Sequence, residues 1–257
     1  MPPSPQQSSN ELASRLGVSA HVTTVVSSRS ISASIYEVIL AGHASSLAGV
    51  PGNDVMVRVS DAPAHHVRRR YSVRSVDENR DTFTLWVTIH HDGGGSRWAQ
   101  RAQPGDHVDV VGPRGKISID PLADWHLFAG DVTALGAFYR MADSIEAPGR
   151  AIFIVEIDDG SDALTNVFDD QLGVTGIFVD RNERSPNDPA GLLSGLSAFA
   201  FPPDDGHAYL FGEFAVTRVL QSALLDRGLA ADKISRKAFW RSGRANADHG
   251  EPDKGDD

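Results

Sequence analysis

The stretch RDTFTLWVTIHH, residues 80–91, alternates polar and apolar side chains through Phe83, Leu85, Val87 and Ile89. Successive side chains of an extended chain point to opposite faces, so these four share one face and predict a half-buried strand. The pattern repeats outward from this stretch. HVTTVV, ISASIYEVIL, DVMVRVS, RYSVRS and DHVDVVG are similar short segments separated by Gly, Pro and Asp turns. Six such strands predict a small antiparallel barrel over residues 21–120.

Past residue 120 the pattern becomes strand then helix, repeatedly. WHLFAG leads into TALGAFYRMADSI, RAIFIVEI into a helix expected after Gly160, and TGIFVD through a loop into AGLLSGLSAF. HAYLFG then leads into EFAVTRVLQSALLDRG, and KISRKAFW closes the series. This alternation favours a parallel sheet flanked by helices, which binds ligands at the carboxyl ends of its strands. The expected organisation is a two-domain one: a disordered start over 1–20, the barrel over 21–120, an α/β domain over 121–245, and a disordered acidic tail over 246–257.

Composition narrows the function classes. The chain has 257 residues, a formal net charge of −10 and no cysteine. Disulfides, thiolate nucleophiles, Fe–S clusters and Cys-based zinc sites are excluded, and any redox chemistry must come from a cofactor. The acidic balance argues against nucleic acid as a partner, because phosphate neutralisation needs a basic face. There is no apolar run long enough for a membrane span, and MPPSPQQSSN lacks the regions of a signal peptide, so a cytoplasmic location is expected. His65-His66 and His90-His91 invite a metal reading, but neighbours on a strand face opposite ways, and no metal site is expected.

Against this acidic background HHVRRRYSVR, residues 65–74, gathers four arginines around Tyr71 and Ser72. An arginine fork suits phosphate oxygens, a tyrosine ring can stack on a flat heterocycle, and a serine hydroxyl can bond a ring nitrogen. The same run also fits an exposed strand laced with surface ion pairs. Downstream, three glycines precede Ser96, which could cap a short helix running through Trp98; such a turn can seat a pyrophosphate or simply close a hairpin. FAGDVTALGAFYR opens the α/β half, and Asp131 or Thr133 can cap its helix. It lacks the G-x-G-x-x-G fingerprint, which disfavours an ordinary dinucleotide-binding dehydrogenase.

Taken in order, these segments resemble the siderophore-interacting protein family, FAD-dependent ferric-siderophore reductases within the ferredoxin-NADP reductase-like superfamily. The resemblance runs from about His21 to Ala245. It rests on R-x-Y-S-x-R at Arg69, Tyr71, Ser72 and Arg74, the glycine-rich turn before Trp98-Ala99, PGDHVDVVGPRG, AGDVTAL, the GE before the last long helix, and FWRSGRA. It implies that Arg69 contacts the FAD pyrophosphate, that Tyr71 stacks on the isoalloxazine, and that Ser72 sits beside its reactive nitrogen. Tyr71 and Ser72 are thus the implied catalytic residues. Val73, Arg74, Thr88, Ile89, His90 and Trp98 would complete the flavin contacts, with Gly94, Gly95 and Ser96 on phosphate. Asp131, Thr133, Ala134, Leu135 and Arg181 would face NADPH or NADH, and Arg241 matches a family arginine near the flavin mouth. An anionic ferric siderophore would need basic side chains there, for which Arg68, Arg70, Arg114, Lys116 and Arg241 are the candidates.

The implied activity is electron transfer from NAD(P)H through FAD to the ferric siderophore, releasing ferrous iron, in a monomeric protein. A general flavin reductase with another acceptor, or a non-enzymatic siderophore- or flavin-binding module, are the alternatives. The chain departs from the family pattern in places. The stretch from His90 to Trp98 is about one residue short and lacks a proline, Val132 and Gly136 stand where glutamate and proline are usual, and FWR replaces YWR. The altered turn weakens the nicotinamide expectation more than the FAD one.

Overall fold

The computed structural model describes residues 4–60, 67–90, 93–145, 150–164 and 174–243. The chain divides into two compact units: Met1–Ser118 together with Tyr139–Met141, and Ile119–Phe138 together with Ala142–Asp257. His65, His66 and His91 and the acidic tail lie outside the described residues.

The first unit is the antiparallel barrel that the alternation predicts. Its strands are β1 (Ser19–Ser30), β2 (Ile35–Ala41), β3 (Asp54–Arg58), β4 (Arg68–Asp77), β5 (Thr82–Thr88) and β6 (His107–Arg114), closed in the order β1-β2-β5-β4-β3-β6. Closure leaves no free sheet edge. Phe83, Leu85 and Val87 of β5 enter the barrel core with Val38, Leu40, Val55, Val57, Val73 and Val110. Two helices join the barrel strands: α2 (Ala44–Leu47) follows β2, and α3 (Gly94–Arg101) lies between β5 and β6.

Disorder was the expectation for residues 1–20, and the structure corrects it. Pro5–Leu16 form helix α1. The Ser4 side chain accepts from Gln7 N, Pro5 takes the first turn where its missing N–H costs nothing, and Gly17 adopts φ 67° to close the far end. Ser9 and Ala13 of α1 are buried.

The second unit holds a five-stranded parallel sheet in the order β11-β10-β7-β8-β9. Its strands are β7 (Trp125–Asp131), β8 (Arg150–Ile157), β9 (Thr175–Asp180), β10 (Gly206–Glu213) and β11 (Ile234–Trp240), with helices α5 (Ala190–Ala198) and α6 (Phe214–Asp226) and helix α4 (Leu135–Ala142) apart from its residues Tyr139–Met141. Leu127, Ala129, Ala208 and Leu210 pack with α5 and α6 on one face. The opposite face is aromatic: Phe128 lies 5.0 Å from Phe153 and 5.2 Å from Tyr209, and Phe211 lies 5.3 Å from Phe138 of α4. After Gly160 the described residues form a 3-10 turn, Gly160–Asp162, and the rest of the segment in which a helix was expected, residues 165–173, lies outside the described residues.

Burial of a histidine gives the sheet an acid-sensitive point. His126 on β7 is 2% exposed, and its buried Nδ1 has no hydrogen-bond partner among the described residues. Burial, and secondarily the neighbouring His207, push it down to about 4. Unfolded chain binds this proton below about 6.5, whereas the native protein resists it until about 4, so stability is full above the upper value and falls as pH drops through the interval. We expect a loss of up to roughly 3 kcal/mol across that window. Urea unfolding at pH 7 and pH 4.5 should show a smaller difference in a His126→Leu variant; an equal difference would assign the sensitivity elsewhere.

Candidate functional site

Strand β4 sorts the basic run onto two faces. Arg69, Tyr71 and Val73 point one way and Arg68, Arg70 and Ser72 the other. Tyr71 packs at the margin of the barrel core and stacks against Trp98 of α3, with ring centroids 5.9 Å apart. Burial pushes the phenol above its ordinary value, with Arg69 opposing, so Tyr71 stays neutral near pH 7. Gly95 opens the space between helix and strand: a Cβ there would stand 2.1 Å from the Tyr71 hydroxyl and 3.6 Å from Arg69 Cγ. Arg69, Tyr71, Gly95 and Trp98 therefore form one corner of the barrel. Arg69 donates to the Arg68 carbonyl at 2.9 Å and pairs with no acid among the described residues.

The other arginines of the run are engaged within the protein. Arg70 grips the buried Asp54 through Nε at 3.1 Å and Nη2 at 2.7 Å. Arg68 donates from Nη2 to Ser8 and Ser9 of α1 at 3.2 and 3.0 Å. Both were expected to receive an anionic substrate, and both instead tie barrel elements together. Arg74, expected against the flavin, is 9% exposed and lies over the rings of Trp86 and Tyr139, at 5.2 and 5.6 Å. Val73 is in the core, so only its backbone can meet a ligand. Ser72 faces away from Tyr71, so the two expected catalytic side chains do not converge.

The glycine turn also differs from expectation. Gly93, not Ser96, occupies the position preceding α3, and it makes no side-chain cap. Ser96 is buried; its hydroxyl accepts from His90 N at 2.9 Å and donates back to His90 O at 3.3 Å, which closes the turn. Its Oγ is thus committed, and backbone of the Gly93–Gly95 turn is what can face a phosphate. Ile89 donates its N–H to Ser34 at 2.8 Å, and Thr88 pairs with Ile35 at the end of β5. Arg114 reaches Met56 Sδ at 3.6 Å and Lys116 is exposed, both in the barrel unit.

In the second unit the residues expected to face a nicotinamide nucleotide are mostly consumed internally. Asp131 is 5% exposed and caps the turn after β7 as expected: it accepts from Thr133 N at 2.9 Å and from the Thr133 hydroxyl. It also accepts from Glu213 N at 2.8 Å and Trp240 Nε1 at 3.0 Å. Ala134 and Leu135 are fully buried, so they can offer a nucleotide only backbone. Arg181, expected at the adenosine end, pairs with Glu156 at 2.9 Å and with Asp158, while Arg184 takes the other oxygen of Glu156 at 3.2 Å. Two carboxylates already neutralise it.

Sequence reasoning missed Glu213 as a structural centre. Its side chain caps α6 through Ala215 N and Val216 N and accepts from Ser242 N at 3.1 Å. The signal was present: a carboxylate directly before an apolar helical run is a capping pattern. Arg241, of the same unit, lies 4.8 Å from the Phe214 ring.

The barrel corner fits a flavin in its chemistry. It combines an aromatic ring, a guanidinium unneutralised by any described acid, and a glycine-opened helix start. Comparison with known proteins points the same way. Residues 52–117 match the siderophore-interacting FAD-binding domain and residues 123–243 match the siderophore-interacting protein model. An uncharacterised protein of Mycobacterium tuberculosis is 30% identical over 187 residues, 68% of this chain and 65% of that protein, so the match spans slightly under two thirds of the relative's length. Ferric vibriobactin reductase of Vibrio cholerae is 25% identical over 192 residues, 71% of this chain and 68% of the relative. A siderophore utilization protein from T. fusca superposes with a TM-score of 0.78 at 26% identity, covering 90% of this chain and 96% of that one.

Proposed function

The chain belongs to the siderophore-interacting protein family, and from that membership we propose that it is an FAD-dependent ferric-siderophore reductase drawing electrons from NADPH or NADH. The observation that carries the reading is the corner of Arg69, Tyr71 and Gly95, in which a cation without a described acid partner faces a glycine-opened turn. Arg69 would neutralise the pyrophosphate, the Gly93–Gly95 backbone would donate to its oxygens, and Tyr71 would lie along the flavin ring with Trp98 as its support. Bound FAD would supply the conversion that this chain's side chains cannot: one NAD(P)H gives two electrons and a proton, and two ferric ions each accept one electron. Ser72, the other catalytic candidate, would act from the opposite face of β4, as a hydrogen-bond donor to whatever approaches that side. The iron is substrate, and the protein needs no ligands for it.

The committed state of Arg181 and the altered turn at Val132 and Gly136 favour, as a second reading, a reductase fed by a donor other than a nicotinamide nucleotide. An anaerobic mixture separates the two. Bleaching of the flavin by NADPH or NADH, followed by ferrous iron on adding a ferric siderophore, is expected. Retained FAD that neither nucleotide bleaches would select the second reading, bleaching without ferrous iron a general flavin reductase, and failure to bind flavin at all would sink the first.

The corner itself is tested separately. Arg69→Ala should weaken FAD retention roughly 10- to 100-fold, the loss of one charge-assisted contact of about 1.5–3 kcal/mol. Arg70→Ala should instead lower stability with a smaller effect on FAD. Flavin titration of both variants decides; normal affinity in the Arg69 variant removes it from the site.

A further inference from the structure

Three arginines of the second unit converge on one aromatic ring. The guanidinium carbons of Arg218 and Arg236 lie 5.8 Å from the centre of Phe214, and that of Arg241 lies 4.8 Å from it. They come from different elements: Arg218 stands one turn beyond Phe214 on α6, Arg236 is on β11, and Arg241 follows β11. None of the three makes an ion pair among the described residues. Burial, and then the like charge of Arg218, lower the pKa of Arg236. The ring takes up part of this charge, yet each such contact at an exposed site is worth only about 0.5–1 kcal/mol. The nearby carboxylate, Glu213, is already committed to the first N–H groups of α6 and to Ser242 N, so neither it nor the helix start is available to an added group.

Three uncompensated cations on one ring are an anomaly in a chain of net charge −10. The same chain supplies a complementary segment close by in sequence. The described residues end at Gly243, two positions after Arg241, and residues 248–257, DHGEPDKGDD, carry Asp248, Glu251, Asp253, Asp256 and Asp257 against the single Lys254. Four residues lie between Gly243 and Asp248, five steps of the chain and a reach of up to about 17 Å. A tether this short corresponds to an effective concentration on the order of millimolar for any intramolecular contact it permits.

We propose that Arg218, Arg236 and Arg241, seated on Phe214, form a docking site for the chain's own acidic segment 248–257, which any other polyanion must displace to reach them. The contact is intramolecular and electrostatic, and it is independent of the redox reading. Carboxylate groups meet guanidinium forks while the ring of Phe214 keeps the three cations gathered. Small anions therefore meet a competitor that is already in place.

The absence of cysteine from the chain makes the test direct. A nitroxide is attached to a Gly255→Cys variant of the full protein, which retains all five acids. At about 10 mM salt, where charges act over roughly 30 Å, the spin-label spectrum should be broadened. It should narrow at about 1 M salt, where the range shrinks to roughly 3 Å, and also on adding inorganic pyrophosphate. The same label in an Arg218→Gln/Arg236→Gln background should give the narrow spectrum at low salt. A variant with Asp248, Glu251, Asp253 and Asp257 changed to their amides leaves the arginines untouched and should do likewise, which covers the case in which the arginine variant folds poorly. Pyrophosphate should bind that neutral-tail variant several-fold more tightly than the parent. A narrow spectrum in the parent at low salt overturns the proposal, as does a broad one that salt, pyrophosphate and the charge changes leave unaltered.

Discussion

Gly130→Ala should destabilise the second unit by about 3 kcal/mol or more, the upper range for forcing added volume into a packed interior. Gly130 stands on β7 opposite Phe211 of β10, and a Cβ built on it falls 1.8 Å from the Phe211 carbonyl oxygen, inside any permitted contact. That oxygen belongs to the paired backbone and cannot rotate aside as a side-chain end would. Relief requires separating two central strands of the sheet or displacing Phe138, whose ring edge is 3.5 Å away. Urea unfolding followed by near-ultraviolet circular dichroism measures the change; a shift below about 1 kcal/mol, the ordinary effect of a point substitution, would mean the strands part more easily than this contact implies.

Asp131→Ala is expected to cost about 4 kcal/mol and to perturb three elements at once. The carboxylate accepts from the N–H and hydroxyl of Thr133, from the N–H of Glu213 and from the indole of Trp240. Removing it leaves these donors facing an apolar gap, and each buried unsatisfied group costs about 1–3 kcal/mol. Asp131→Asn keeps one carbonyl acceptor but turns an amide toward the remaining donors, so it should recover only part of the loss. Thermal unfolding of the two variants ranks them. Equal stability in both and in the parent would remove Asp131 from its place as the link between β7, the end of β10 and β11.

The barrel was legible because one-sided burial writes a period of two into a strand such as 82–88, and the switch to strand–helix alternation after residue 120 reflects a sheet covered on both faces. Helix α1 was not read because it is mostly polar, although Ser4, Pro5 and Gly17 are helix start and stop signals that outweigh its weak apolar stripe. The candidate site was legible at Arg69, Tyr71 and Gly95 as residue types in order. What the chain order could not reveal was which arginines are already spoken for. Arg70 finds Asp54 sixteen positions earlier, and Arg181 finds Glu156 twenty-five positions earlier, through strand pairing rather than local sequence. The constraint on Gly130 is equally non-local, since it lies in the carbonyl of Phe211 on another strand.

The four tryptophans fall in four separate settings. Trp98 leans on Tyr71 at the barrel corner, Trp86 lies under Arg74, Trp125 stacks on Phe201 at 5.2 Å, and Trp240 is tethered to Asp131. Each indole is therefore an optical sensor of one locality. Chains retaining a single tryptophan would report flavin loading, the barrel wall, the α5–α6 face and the carboxyl edge of the sheet as four independent fluorescence channels.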